Sequence, residues 1–228
     1  MKIVGLFLIS IIGLMACSKD EENGSVAITF KGINETLKSA KGLSATNVKI
    51  TDFKLSFRDV EFKKDQSSLD SNAIQFKGPY DVDLMSETNA LSQTIGNVNI
   101  SDGTYKIIRF KLHKSKDRAI TDPLYDRSLF IKGTINGTPF EFWHDASENF
   151  DIENVNGILV SGNNKVNIVV EFKIDQFLNS LYNIDLSLAL DKNQNGLIEI
   201  NSGNDDGNSD IADKLKDNIK EAANLIKL

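Results

Sequence analysis

The sequence is poor in the residues from which chemistry is usually built. It has one cysteine, so no disulfide can close within the chain. It has two histidines, which leaves little material for a histidine-built metal or proton-relay site. It has no basic surplus: 26 Lys and Arg stand against 32 Asp and Glu, a formal net charge of −6. That balance lacks the positive field that phosphate backbones require, so nucleic acid is excluded as a partner. No apolar run approaches the roughly 20 residues of a spanning helix. Neither a Gly-x-x-x-x-Gly-Lys phosphate loop nor a Gly-x-Ser-x-Gly nucleophile motif occurs. What remains is 228 residues of ordinary globular composition, 40% hydrophobic and 25% charged. That is enough for one large or two small domains.

The apolar run that does occur lies at the N-terminus. After Met1 and Lys2, residues 3–14 (IVGLFLISIIGL) carry no charge. They have the dimensions of a signal-peptide core. Leu14-Met15-Ala16-Cys17 follows, and resembles the lipobox of bacterial lipoproteins. The resemblance implies cleavage before Cys17 and acylation of that cysteine, the only thiol in the chain. Residues 1–16 are then a lipoprotein signal peptide, and residues 17–24 are the lipidated Cys and an acidic tether. Ser18, Lys19, Asp20, Glu21 and Glu22 resemble the surface-export signal of Bacteroidota lipoproteins. The same charges also suit a solvated tether that keeps the chain extended.

From Ser25 onward, apolar and polar residues mostly alternate, the pattern of half-buried strands. Residues 48–62 change phase near Asp52 and again near Arg58 and Asp59, which implies bulges or a break into two strands. Val166, Ile168, Val170, Phe172 and Ile174 keep a strict period of two. Asn136-Gly137 predicts a type I′ hairpin, since both central positions need positive φ. A two-residue loop pairs Ile135 with Thr138, Lys132 with Glu141, Ile131 with Phe142 and Phe130 with Trp143. Pro139 lacks a donor, so its strand should have a free edge there. Phe53, Phe57, Phe110, Phe140, Phe142 and Phe172 are expected in the core. Tyr80, Tyr105, Tyr125, Tyr182 and Trp143 remain candidate surface stackers.

After Leu190 the pattern changes. Residues 191–210 are rich in Asn, Asp and Gly. Ile211, Leu215, Ile219, Ala222 and Ile226 then follow helical spacing, with Asp210 as the expected cap. The predicted fold is mainly β: an antiparallel β-sandwich over residues 25–190. Residues 191–228 form an Asn/Asp-rich loop and a C-terminal α-helix packed on it.

Within that loop, Asp191-x-Asn193-x-Asn195-Gly196 has the spacing that opens a calcium loop. Oxygens at positions 1, 3 and 5 converge, glycine at 6 permits the turn, and Glu199 adds an oxygen at position 9. Position 12 is Ser202, where a bidentate Glu is expected, so an Asx-rich turn without an ion is the competing reading. Asp191, Asn193, Asn195 and Glu199 are the candidate metal ligands, and no other cofactor is expected. His144-Asp145 offers an acid/base pair without an accompanying nucleophile. The pairs Asp81/Asp83 and Asp185/Asp191 are not placed by sequence. No catalytic residues are assigned.

Four runs carry a family resemblance. They are Ile74-x-Phe76-x-Gly78-Pro79-Tyr80-x-Val82-Asp83-Leu84, Asp102-Gly103-x-Tyr105-x-x-Ile108-x-Phe110, Ile131-x-Gly133-Thr134-Ile135-x-Gly137-Thr138-Pro139-Phe140, and Val170-x-Phe172 followed by the loop at Asp191. Together they resemble a family of uncharacterised Bacteroidota lipoproteins built on a domain of unknown function, with an immunoglobulin-like or transthyretin-like sandwich. The resemblance implies an outer-membrane lipoprotein, held by its lipid anchor and displayed at the cell surface or facing the periplasm. The resemblance says little about activity; the anchored domain itself is expected to act as a non-enzymatic binding or accessory module towards an envelope protein or a glycan. An adhesin-like subunit assembling by strand addition is the alternative. An enzyme acting on polysaccharide or peptide has the least residue support.

Overall fold

The computed structural model describes residues 23–33, 47–64, 74–162, 164–174 and 184–227. The residues expected to form a signal peptide (1–16) and an export run (18–22), together with Cys17 and Tyr182, lie outside the described residues. The strands are β1 (Asn23–Ile33), β2 (Val48–Lys63), β3 (Ile74–Phe76), β4 (Tyr80–Ser86), β5 (Asn89–Ala90), β6 (Ser92–Ser101), β7 (Gly103–Leu112), β8 (Leu129–Ile135), β9 (Thr138–His144), β10 (Asn149–Val160), β11 (Lys165–Lys173), β12 (Ile198–Asn201) and β13 (Ala223–Lys227). Two helices, α1 (Ser209–Asp217) and α2 (Ile219–Ala222), precede β13.

These strands form two sheets. The smaller runs β13-β11-β1-β6, and the larger is organised around β2. Phe53 pairs with both β4 and β8, and Phe57 with both β4 and β7. Partners of one residue lie on opposite sides of a strand. So β8 and β7 share one edge of β2 in succession, and β4 takes the other. This fork is possible because β2 is a single strand of 16 residues. Its two phase changes are bulges: the β8 register shifts between Ile50 and Asp52, and the β7 register between Arg58 and Glu61. Asp59 absorbs the second with φ 54. Each bulge resets which parity faces the core, so Ile50, Phe53, Leu55, Phe57, Val60 and Phe62 are all buried.

The core lies between the sheets. Phe30 on β1 packs against Phe57 (4.4 Å between ring centroids), Phe110 (5.9 Å) and Phe172 (6.2 Å). All six phenylalanines expected inside are buried. The Asn136–Gly137 hairpin has the expected register, with all four expected pairs formed. Both turn residues have positive φ, 52 and 87. Pro139 lies one residue before the segment that β12 pairs, Phe140 to Trp143, so the missing donor leaves no ladder bond broken.

Three expectations are corrected. The sandwich is not purely antiparallel, because β1 runs parallel to β11 and β9 runs parallel to β12. Alternation specifies which face of a strand is buried, and says nothing of its direction. The C-terminal segment is not helical to its end: Ala223–Lys227 is a strand antiparallel to β11. Ile226, assigned to the buried helical stripe, is 37% exposed, while Ala223 and Leu225 are buried at a spacing of two. The exposed edge of β11 satisfies five residues of backbone that a helix end would leave partly unpaired. The helix cap is Asn208 rather than Asp210, and its side chain makes no capping bond.

Candidate functional site

The loop between Leu190 and α1 is built by side chains that replace backbone pairing. The Asp191 carboxylate accepts from the amides of Asn195 (3.1 Å) and Gly196 (2.9 Å). Asn193 Oδ1 also accepts from the Asn195 amide, and Asn195 Oδ1 accepts from Leu197. The left-handed φ of Gly196 (84°) closes the turn. Both carboxamides then donate to one oxygen: Asn193 Nδ2 and Asn195 Nδ2 lie 2.8 and 3.1 Å from Glu199 Oε2. All four candidate metal ligands are therefore brought together. Amide N–H groups stand where a cation would otherwise neutralise Glu199.

Two residues behind the loop hold it in place. Asp206 is fully buried and accepts from the amides of Lys192 (3.0 Å), Asn193 (3.1 Å) and Glu199 (2.8 Å). Asn208, also buried, accepts from Leu190 N and donates to the carbonyls of Leu190 and Glu199. In the sequence, Asp205-Asp206-Gly207 could supply further oxygens to the loop or simply be solvated. Asp205 is exposed, and Asp206 is a buried backbone clamp. Its only sequence signal is its place in Asp-Asp-Gly, and that does not distinguish buried from solvated.

The twelfth loop position does not complete a calcium hand. Ser202 Oγ donates to Asp145 Oδ1, and the residues between become β12 rather than a helix. Among the described residues no three His, Cys, Asp or Glu side chains gather as a metal site.

The other acidic candidates have partners of their own. Asp145 is paired with Lys114 at 2.6 Å, and that hydrogen bond holds its carboxyl below the usual carboxylate range. His144 is buried. Its Nδ1 accepts from the Ala146 amide, and its Nε2 faces Asp213 at 3.3 Å rather than Asp145. Asp81 and Asp83 both pair with Arg118. Asp185 accepts from the Ser187 amide two residues on, and so serves a local turn separate from that of Asp191. A groove of about 650 Å³ beside β10, α1 and α2 is lined by Glu148, Asp151, Glu153, Asp217 and Glu221. Lys216 bridges Glu148 and Asp217, and Arg109 clamps Asp151.

Of the candidate stackers, Tyr105 is buried with its hydroxyl donating to Ser101 O. Tyr80 is half-buried beside Phe57, Tyr125 lies under Lys116, and Trp143 lies under Arg127.

Residues 25–201 match a domain of unknown function, DUF4382. The chain belongs to this family. No curated protein and no solved structure matches it. The DUF4382 match ends on the last residue of β12. Asp206, Asn208, both helices and β13 therefore lie beyond it, although they complete the loop and the smaller sheet.

Proposed function

We propose that this DUF4382 protein is a lipid-anchored protein of a bacterial envelope, of the Bacteroidota type. Its sandwich would be displayed on the outer membrane, at the cell surface, as a non-enzymatic binding or accessory module. The observation that carries this reading is the lone cysteine directly after the 12-residue apolar run, six residues before β1 begins at Asn23. Six extended residues span about 20 Å, so acyl chains on Cys17 would hold the Asn23 end within that distance of the bilayer. One acyl chain holds marginally and two or more hold stably. Asn23 pairs with Ser101, so with such an anchor the turn at Asp102 would lie at the tethered end. The engagement of Asp81, Asp83, Asp145, Asp151 and Asp206 by basic groups or backbone amides supports a binding role over catalysis.

Cys17→Ser should abolish acylation and move the protein out of the membrane fraction, as read by mass spectrometry and fractionation. An acylated or membrane-held Cys17→Ser protein overturns the proposal. Alanines at residues 19–22 should leave the lipid in place and reduce protease shaving on intact cells. The adhesin-like alternative would use β6, a ten-residue strand that pairs with β1 alone among the described residues. Ordered multimers on size exclusion would favour it.

The same reading includes calcium at Asp191, Asn193, Asn195 and Glu199, because a cation there would replace the two amide donors on Glu199. With only two carboxylates the affinity should fall near 10⁻⁴–10⁻³ M, roughly that of extracellular calcium modules. At 10 mM calcium the melting temperature should then rise by about 3–8 °C. Asp191→Ala should lose that rise, and a wild type that shows none has no calcium site.

A further inference from the structure

The chain has four arginines, and three carry a carboxylate. Arg58 pairs with Asp59, Arg109 with Asp151 through two nitrogens, and Arg118 with Asp81, Asp83 and Asp122. Arg127 has no carboxylate at ion-pair distance among the described residues. Its guanidinium instead lies 4.5 Å from the centroid of the Trp143 ring. Among the described residues it makes one hydrogen bond, from Nη1 to Pro123 O at 3.0 Å. A guanidinium carries five N–H donors in a planar fork, so most of this one's donors are unused. Partial burial pulls its pKa down, and the charge of Glu141 opposes that shift. A half-desolvated cation without an anion gains more from a carboxylate than a fully hydrated one does.

The surroundings narrow the ligand. Glu141 and Trp143 are two apart on β9 and so share one face of the sheet. Phe130, opposite Trp143, is buried. Glu141 is half-buried, has no hydrogen bond or ion pair among the described residues, and lies opposite Lys132 in the ladder. A fork of free donors therefore adjoins a free acceptor beside an indole. Along Trp143, β9 is flanked by β8 on one side and β12 on the other. No main-chain edge is open there to receive a peptide strand. A densely charged phosphate polymer is disfavoured by Glu141 and by the net charge of −6.

We infer that Arg127, Trp143 and Glu141 form a binding site for a hydroxylated carboxylate, the uronic acid unit of an acidic glycan. The carboxylate takes the Arg127 fork, a neighbouring hydroxyl donates to Glu141, and the sugar ring sits at the part of the indole that Arg127 leaves uncovered. The inference rests on the binding-module reading for the site's access to glycan.

Trp143 is the only tryptophan, so its emission reports on this site alone. The full chain in detergent micelles would be titrated with tri-galacturonate, with neutral maltotriose and with tri-glutamate at matched ionic strength. Only tri-galacturonate should give a saturable change. Arg127→Gln should weaken it at least about tenfold, and Arg127→Lys by less, since it keeps the charge and loses the fork. Glu141→Gln should weaken it without abolishing it. Circular dichroism would verify that each variant folds; should Arg127→Gln unfold, the Glu141→Gln comparison decides. No response to tri-galacturonate, an equal response to maltotriose, or a larger one to tri-glutamate overturns the inference, as does an unchanged response in folded Arg127→Gln. Acyl chains found on Cys17 in the same preparation would leave the anchoring proposal standing whatever the titration gives.

Discussion

Replacing Phe30 with alanine is expected to cost the sandwich about 3–5 kcal/mol. Phe30 is fully buried, and its ring meets residues from three strands: Phe57 on β2, Phe110 on β7 and Phe172 on β11. It therefore joins the two sheets at their shared centre. Truncation removes the transfer energy of the ring and leaves a cavity lined by phenylalanines, which close ladders on both sides keep from collapsing. For a chain of this size the melting temperature should fall by about 6–20 °C. Phe30→Leu, which conserves more of the volume, should cost less than half as much. A loss under 1 kcal/mol in Phe30→Ala, measured by denaturant unfolding, would mean that the two sheets are not packed through this ring.

The second large effect is expected at Asp206. Its carboxylate holds three backbone amides, those of Lys192, Asn193 and Glu199, in a fully buried position. Asp206→Ala leaves these donors facing a void. At about 1–3 kcal/mol for each unsatisfied group, the loss should be about 3 kcal/mol or more. Asp206→Asn keeps one acceptor oxygen and should fall between the two. The consequence is local before it is global, because Lys192 and Asn193 belong to the candidate calcium loop while Glu199 lies in β12. Hydrogen exchange at these three amides should accelerate strongly, with the β1–β11 ladder little changed. Unchanged protection at residues 192, 193 and 199 would show that the carboxylate is not what orders the loop.

The N-terminal boundary of the family match, at residue 25, coincides with the place where alternation begins, and the match covers the four runs on which the resemblance was drawn. Within the candidate site, Asp191, Asn193, Asn195 and Glu199 were legible because their contacts lie within nine residues of each other. Asp206 and Asn208 were not, because they act on backbone 7 to 18 residues away, across a turn whose path local chemistry does not specify. Arg127 was missed for a related reason. Along the chain Arg127 and Arg118 differ chiefly in Asp122, four residues after Arg118 and 3.7 Å from it. Only the folded positions of β4 and β9 give Arg118 two further carboxylates and Arg127 an indole.

The sequence alone determined what depends on near neighbours. It set the hairpin and its register at Asn136–Gly137, the two phase changes of β2, the burial of the phenylalanines, and the turn at Asp191. In each case the deciding energies act over a few residues: φ preference at a turn, side-chain parity along a strand, and Asx hydrogen bonding. Tertiary structure decided what depends on a partner distant in the chain. It set the parallel pairings of β1 with β11 and β9 with β12, the fork at β2, and the conversion of Ala223–Lys227 from expected helix to strand. Backbone hydrogen bonds to a waiting edge outweigh the few tenths of a kcal/mol per residue by which helix propensities differ, and no local pattern shows where such an edge will be.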